Sequence, residues 1–101
     1  MSVYFEIVTP LNKKIRTTVS YWNYITRVKH PFMQGKEDIV KHTLSSPDEI
    51  RKSSFDESVY LFYKYSQRKY CVVVKIENNS GYIITTYPVD AIKEGELIWK
   101  K

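Results

Sequence analysis

Residues 68–87, with the sequence RKYCVVVKIENNSGYIITTY, carry the strongest fold signal in the chain. Two runs of β-branched and aromatic residues, 70–76 and 82–87, flank the polar stretch 77–81, which predicts a hairpin whose loop is too long for a two-residue turn. The run 71–74 is continuously apolar rather than alternating, a pattern typical of a strand covered on both faces. We therefore expect a central pair of strands with helices or further chain on each side.

Length and composition are those of one folded domain spanning residues 1–101. A hydrophobic content of 43% argues against disorder. The single Cys71 cannot form an internal disulfide, and because the chain adds only His30 and His42, we expect no metal site and no cofactor. The N-terminal sequence has neither the pattern of a signal peptide nor that of a membrane span, which predicts a cytoplasmic protein without membrane association.

The charge balance favours a polyanionic partner. Sixteen Lys and Arg residues against eleven Asp and Glu residues give a formal net charge of +5, and such a balance favours association with nucleic acid. The basic residues occur as pairs spread along the chain, so a basic patch must be assembled by folding. The alternative is that these side chains only keep the surface solvated.

The first half of the chain predicts a hairpin followed by helices. Residues 3–8 and 15–19 are β-prone runs on either side of a turn with a basic tip. Residues 36–44 have the apolar spacing of a helix. Residues 46–49, Ser-Pro-Asp-Glu, combine an N-cap, a proline at the first helical position and a glutamate at the third, which predicts the start of a short third helix.

A helix over residues 20–29 should follow the hairpin, with Ser20 as its N-cap. The residues at helical spacing that should face the core are Tyr21, Ile25 and Val28. Pro31 disfavours helical backbone at the residue before it, so the helix should end at His30. The negative end of the helix dipole favours a protonated imidazole, which predicts a raised pKa for His30.

The second half of the chain reads as strands. Residues 59–65 precede the central pair and complete an antiparallel meander, and residues 95–99 supply a further strand after a turn or one helical turn over residues 89–94. The predicted fold class is α+β. We expect an N-terminal β-hairpin and two to three helices packed on a four-stranded, mainly antiparallel sheet.

Several motifs in this order resemble a small bacterial and phage family of the barnase–EndoU–colicin–RelE (BECR) nuclease fold. The resemblance covers roughly residues 15–100, and its most telling pieces are His30-Pro31 closing the first helix and the late strand Ile-Ile-Thr-Thr-Tyr at residues 83–87. The other matching pieces are Trp22 and Ile25, Ile39-Val40-x-x-Thr43-Leu44, Pro47-Asp48-Glu49-Ile50, Val59 to Lys64, and Tyr70 to Lys75. The resemblance implies a metal-independent ribonuclease, commonly a toxin held in check by an antitoxin or other inhibitor protein.

Metal-independent cleavage of RNA needs a base near the 2′-hydroxyl, an acid near the leaving oxygen, and donors on the phosphate. His30 is the best candidate for the acid or base. Thr85 and Tyr87 share one face of their strand by its period of two, so both can reach one phosphate or base. Many sequences of the family have a small residue where this one has Thr86, which leaves open which threonine has the functional role.

Three further residues are candidate RNA ligands at the edge of the meander. Lys64 and Arg68 are candidate phosphate binders, and Tyr63 can stack on a base. The alternative for each is structural: solvated surface for Lys64 and Arg68, and core packing for Tyr63. If the site exists, His30 should lie within about 15 Å of Thr85, because side chains further apart cannot act on one substrate.

Two other classes of function are compatible with the sequence. The first is a catalytically silent RNA-binding or regulatory domain that keeps the fold and the basic surface. The second is a small protein-interaction module whose tyrosines bury against a partner chain.

Overall fold

A computed structural model describes residues 2–91 and 95–101, and within them the chain forms one seven-stranded mixed sheet with two α-helices. The order of the strands across the sheet is β1-β2-β6-β5-β4-β3-β7. In chain order the elements are β1 (Val3–Val8), β2 (Lys14–Thr18), α1 (Val19–Tyr24), a π-helical turn (Ile25–Lys29), a 3₁₀ turn (Pro31–Met33), α2 (Glu37–Ser45), β3 (Glu49–Lys52), β4 (Val59–Tyr65), β5 (Lys69–Glu77), β6 (Ser80–Val89) and β7 (Glu96–Lys100).

The antiparallel meander β4-β5-β6 forms the centre of the sheet, as the sequence predicts. The expectation of a long loop between β5 and β6 is wrong, because β5 ends at Glu77 and β6 begins at Ser80. Asn78 takes a left-handed conformation with φ of 61°. Asparagine tolerates that region well, so a two-residue turn suffices.

The expected four-stranded, mainly antiparallel sheet is wrong because three more strands join it. The N-terminal hairpin is part of the sheet, since β2 runs parallel to β6 over residues 14–16 and 80–82. The segment expected to begin a third helix is instead β3, which pairs with β4, while β7 pairs with β3 at the edge. Strand pairing places Ile50 opposite Phe62, and both side chains are fully buried. That burial outweighs the helix-start signal of residues 46–49.

The helical segment before Pro31 differs from the prediction in its N-cap residue and in its second turn, which is π-helical. Its N-cap is Thr18 rather than Ser20, with the Thr18 side chain accepting a hydrogen bond from the Tyr21 backbone N–H. The π-helical turn inserts an extra residue into the turn and shifts the side chains after it. As a result Val28, expected inside, is 66% exposed. The buried residues of the segment are Trp22, Ile25 and Thr26.

The two faces of the sheet differ in what covers them. Trp22 and Ile25, with Val40 and Leu44 of α2, pack on one face of the sheet. The other face, which we call the helix-free face, has a smaller cluster formed by strand residues alone: Leu61, Tyr63, Cys71 and Val73, with Val59, Ile84, Tyr87 and Val89 packed around it. Of the helices or further chain expected on each side of β5, helices therefore cover one face, and neighbouring strand side chains cover the other.

In the described residues, no helix has both the length and the apolar character needed to cross a bilayer.

The turn or helical turn expected over residues 89–94 lies only partly within the described chain. Val89 is still in β6, and residues 92–94 lie outside the described residues.

Candidate nucleic-acid interface

His30 lies where the first helical segment ends, at the free margin of β6. Its backbone N–H donates to the Ile25 carbonyl at 2.7 Å, and Pro31 then begins the 3₁₀ turn. The pairing of β2 with β6 stops at Tyr82, and beyond it the Tyr21 hydroxyl donates to the Ile84 carbonyl at 2.8 Å. The helical segment therefore continues along the margin of β6 that β2 leaves free.

The structure brings His30 and Tyr87 into direct contact. Their ring centroids lie 5.3 Å apart with an angle of 47° between the planes. Thr85 lies two residues before Tyr87 on the same face of β6, opposite Val73 where Tyr87 is opposite Cys71. The end of a helix and the end of a strand thus meet, as the sequence predicts for a shared site.

The electrostatic surroundings favour neutral imidazole. Partial burial lowers the pKa of His30 below its ordinary value, and the neighbouring charge of Lys29 lowers it further. The expected rise in this pKa is wrong, because loss of solvation and a nearby cation outweigh the helix-end effect. At neutral pH, His30 is therefore poised to accept a proton rather than to donate one.

Tyr87 also belongs to a row of side chains that crosses the helix-free face. Strand register places Tyr87 beside Cys71, Cys71 beside Tyr63, and Tyr63 beside Glu49. Neighbouring strands lie about 4.8 Å apart, so this row connects Tyr87, which His30 contacts, to the Glu49 carboxylate on β3, three strands away.

Glu49 forms a polar cluster with Arg51 and Tyr65 that the sequence pattern did not predict. Its two carboxylate oxygens accept hydrogen bonds from Arg51 Nε at 2.6 Å and from the Tyr65 hydroxyl at 2.8 Å. Burial by itself would raise the pKa of Glu49, but the bonds from Arg51 and Tyr65 lower it overall. Burial, together with the bond to Glu49, raises the pKa of Tyr65 to about 12. The available signal was the alternation of charged and apolar residues in Glu-Ile-Arg at residues 49–51, which the helix-start pattern obscured.

Replacing Glu49 by Gln should destabilise the fold by about 2 kcal/mol, the typical value for a hydrogen bond to a charged group. The lowered pKa means that ionised Glu49 stabilises the fold above its unfolded pKa near 4.5 and loses that contribution as the pH falls through its folded value. Urea unfolding at neutral pH and at about pH 3 measures both effects. A difference between wild type and Glu49→Gln that persists undiminished in acid would contradict this account.

The two threonines of β6 have different surroundings. Thr86 is fully buried, and its hydroxyl donates to the Cys71 carbonyl at 2.9 Å. Thr85 faces the same side as Tyr87, yet its hydroxyl is enclosed and has no hydrogen-bond partner among the described residues. Neither hydroxyl is presented to solvent in this arrangement.

Two of the expected RNA ligands, Tyr63 and Lys64, have packing or hydrogen-bonding roles within the fold. Tyr63 is only 3% exposed and packs in the cluster of the helix-free face. The Lys64 ammonium donates to the Ser46 carbonyl at 2.7 Å and lies 3.9 Å from a carboxylate oxygen of Asp48. Lys64 therefore secures the loop between α2 and β3.

Arg68, unlike Tyr63 and Lys64, lies close to the free margin of β6 where His30 meets Tyr87, which we call the His30 margin. Its guanidinium carbon is 5.0 Å from the ring centroid of Phe32, and the Lys36 ammonium is 4.8 Å from the same centroid. Phe32 is half exposed and only two residues from His30. Two cations and a half-exposed aromatic ring are therefore grouped two residues from His30.

Potential metal ligands are scattered. Within residues 2–91 and 95–101, no three side chains among His, Cys, Asp and Glu are grouped closely enough to hold a metal ion. Cys71 is buried within β5, and His42 is exposed on α2. The groups that the structure places near His30 offer proton transfer, hydrogen bonding and the charge of nearby cations.

Comparison with known proteins adds no assignment. Neither the protein-family models, nor the curated proteins, nor the solved structures give a significant match to this chain.

Proposed function

We propose that this protein is a metal-independent ribonuclease of the BECR type that acts on single-stranded RNA, with His30 as its general base. The observation that carries the proposal is the imidazole of His30 packed on Tyr87, beside a basic and aromatic group formed by Arg68, Phe32 and Lys36. A general base must be unprotonated at the working pH, and partial burial favours that state of His30 by lowering its pKa.

In the proposed reaction, His30 takes the proton of a 2′-hydroxyl, and the 2′-oxygen attacks the adjacent phosphorus. The bond from phosphorus to the 5′-oxygen breaks and the departing oxygen takes a proton from solvent water, while His30 releases its proton to solvent, so the products are a 2′,3′-cyclic phosphate and a 5′-hydroxyl. The Tyr87 phenol donates a hydrogen bond to the phosphate or the departing oxygen, and Arg68 offsets the charge that builds on the phosphate. Thr85 has no direct contact in this scheme because its hydroxyl is enclosed.

Incubation of the purified protein with a synthetic single-stranded RNA, with a chelator present, tests this proposal. We expect cleavage to persist, and mass spectrometry should find fragments ending in 2′,3′-cyclic phosphate. Loss of cleavage on chelation, or fragments ending in 3′-hydroxyl, would contradict the mechanism.

We further propose that the protein acts in the cytoplasm as a toxin controlled by an inhibitor protein. A net charge of +5 supports both the attraction of RNA and the binding of an acidic inhibitor. Controlled expression of wild type in bacterial cells should arrest growth, while the His30→Ala variant should not. Equal growth with both proteins would contradict a toxin role.

A second candidate function is an RNA-binding domain that does not cleave. It is favoured by one observation: two of the groups expected on the phosphate, Lys64 and Thr85, are held or enclosed within the fold. The RNA assay separates the two functions, because intact RNA in a stable complex would support binding without cleavage.

Salt dependence tests the role of Arg68. Phosphate binding releases counterions, so log affinity for a short RNA should fall with log salt concentration with a slope of about −2 to −4 for a surface this small. Arg68→Ala should make the slope shallower by about one contact. Lys101→Ala, an exposed basic residue after the edge strand β7, is the matched control and should leave the slope unchanged. An identical slope for all three proteins would remove Arg68 from the interface.

A further inference from the structure

A concave feature lies at the margin of the helix-free face, where β2 and β6 separate. It is a cleft of about 410 Å³ lined in part by Arg16, Thr17, Tyr21 and Tyr82. The parallel pairing of the two strands ends at Arg16 and Tyr82, and the chain leaves β2 for α1 two residues later. The cleft therefore results from the short β2–β6 pairing and is separate from the His30–Tyr87 contact.

An exposed aromatic ring lies between two cations at this cleft. Tyr82 is 41% exposed, and strand register places it beside Arg16 on β2 and beside Lys75 on β5. These three side chains share the helix-free face, because Ile15 and Ile83, the neighbours in sequence, are buried in the core under the helices. With strands about 4.8 Å apart, a cation lies on each side of the ring, within reach of the phosphate of a nucleotide whose base stacks on it.

The guanidinium of Arg16 is held in place by the fold. Its Nη1 donates to the Gly81 carbonyl at 3.2 Å, which fixes the side chain over the start of β6. Lys75 has an ion pair with Asp56 at 4.0 Å, the limit for such a contact, with both side chains partly exposed. An exposed pair of this kind contributes little energy, so an incoming phosphate can compete with Asp56 for Lys75.

Thr17, which also lines the cleft, lies on the opposite side of β2 from Arg16. It pairs with Phe5 and alternates with Arg16, so it faces the core under the helices. It is 3% exposed and its Oγ1 has no hydrogen-bond partner within the described residues, but it is not part of the surface around Tyr82. The neighbouring Tyr21 hydroxyl, by contrast, is used by the fold in its bond to the Ile84 carbonyl.

We propose that this cleft is a second nucleotide subsite for the same strand of RNA, with a base stacked on Tyr82 and its phosphate held by Arg16 and Lys75. The inference rests on the proposed ribonuclease function and names its substrate more narrowly, as single-stranded RNA longer than a dinucleotide. Residues 82 and 87 of β6 are about 16 Å apart at the usual rise per residue, a gap that a few nucleotides of extended strand can span. A base can stack on Tyr82 only when it is free of its own helix, so duplex RNA does not fit.

The test uses oligodeoxythymidylates, which lack the 2′-hydroxyl and cannot be cleaved by the proposed chemistry. Wild type should bind an eight-nucleotide probe, and Tyr82→Leu should weaken that binding by about 5- to 50-fold, the usual effect of losing one base–aromatic stack. Tyr82→Phe keeps the ring and should bind like wild type. Tyr4→Ala is the matched control, since Tyr4 is 42% exposed but bonds to Glu37 on α2 instead of lining this cleft.

Probe length distinguishes a subsite for a strand from a site for a free nucleotide. A dinucleotide reaches only one of the two features, so we expect it to bind much more weakly than the eight-nucleotide probe. Equal, Tyr82-dependent affinity for thymidine monophosphate and the long probe would overturn the strand subsite in favour of a free ligand. No binding of the long probe, or equal binding by wild type and Tyr82→Leu, would also overturn it. These outcomes are independent of RNA cleavage, which tests the catalytic proposal separately.

Discussion

Replacing His30 by Ala should reduce the rate of RNA cleavage by about 10²- to 10⁴-fold, the usual contribution of a general acid or base. The imidazole contacts Tyr87 and has a lowered pKa, so its removal takes away a proton acceptor that is neutral at physiological pH. Single-turnover cleavage of a fluorescent RNA measures the effect. His42→Ala, at an exposed histidine on α2, is the matched control and should retain full activity.

The pH profile of wild type provides an independent check. Because His30 must be neutral to act as a base, cleavage should fall on acidification with a midpoint below the ordinary value of 6.5. His30 has a higher pKa in the unfolded chain than in the folded protein. As the pH falls from the unfolded pKa to the folded pKa, protonation of His30 therefore lowers the stability of wild type. Full activity of His30→Ala, or a midpoint above 6.5, would contradict the assignment of the base.

Replacing Gly81 by Ala should destabilise the fold by about 3 kcal/mol or more, at the upper end of the range for overpacking. A Cβ atom built at Gly81 would lie 2.1 Å from the Lys75 carbonyl oxygen and 3.0 Å from the Ile76 Cα. These are backbone atoms of the paired strand β5, so no side-chain rotation can relieve the overlap. Thermal unfolding should show a midpoint lowered by about 12 °C or more for a chain of this size.

The Gly35→Ala variant is a control that introduces backbone strain without the steric clash expected at Gly81. Gly35 has a φ of 75°, but a Cβ atom there would meet nothing within 4 Å. The expected cost is about 1 kcal/mol, that of placing an alanine in the left-handed region. Equal losses of stability in the two variants would show that contact with β5 is not the cause at Gly81.

The central meander was predictable because its signals are local. The apolar runs of β4, β5 and β6 and the turn-forming Asn78 lie within one continuous stretch of chain. The parallel pairing of β2 with β6 joins residues about sixty-five positions apart, and β3 is recognisable only from the strands on either side of it. Such pairings depend on which partners are available in the folded sheet, so a local pattern does not reveal them.

The candidate site was likewise predictable only in its local features. Pro31 fixes where the helical segment stops, and the end of β6 is evident from its sequence, so the approach of His30 to the strand of Tyr87 was predictable. The pKa of His30 was not, because it depends on burial by residues distant in the chain. Glu49 was missed because its bond to Arg51 needs residues 49–51 to be a strand, and its bond to Tyr65 needs that strand beside β4.

The π-helical turn over Ile25–Lys29 has a consequence for the ancestry of the site. A π turn is an α-helical turn that has absorbed one extra residue, so losing that residue restores regular spacing and leaves the residues after the turn in about the same orientation. A relative with such a deletion would still aim its imidazole at the strand end that Tyr87 occupies here. Kinship with this protein is therefore better judged by the His-Pro pair at the helix end than by the eight-residue interval from Trp22 to His30.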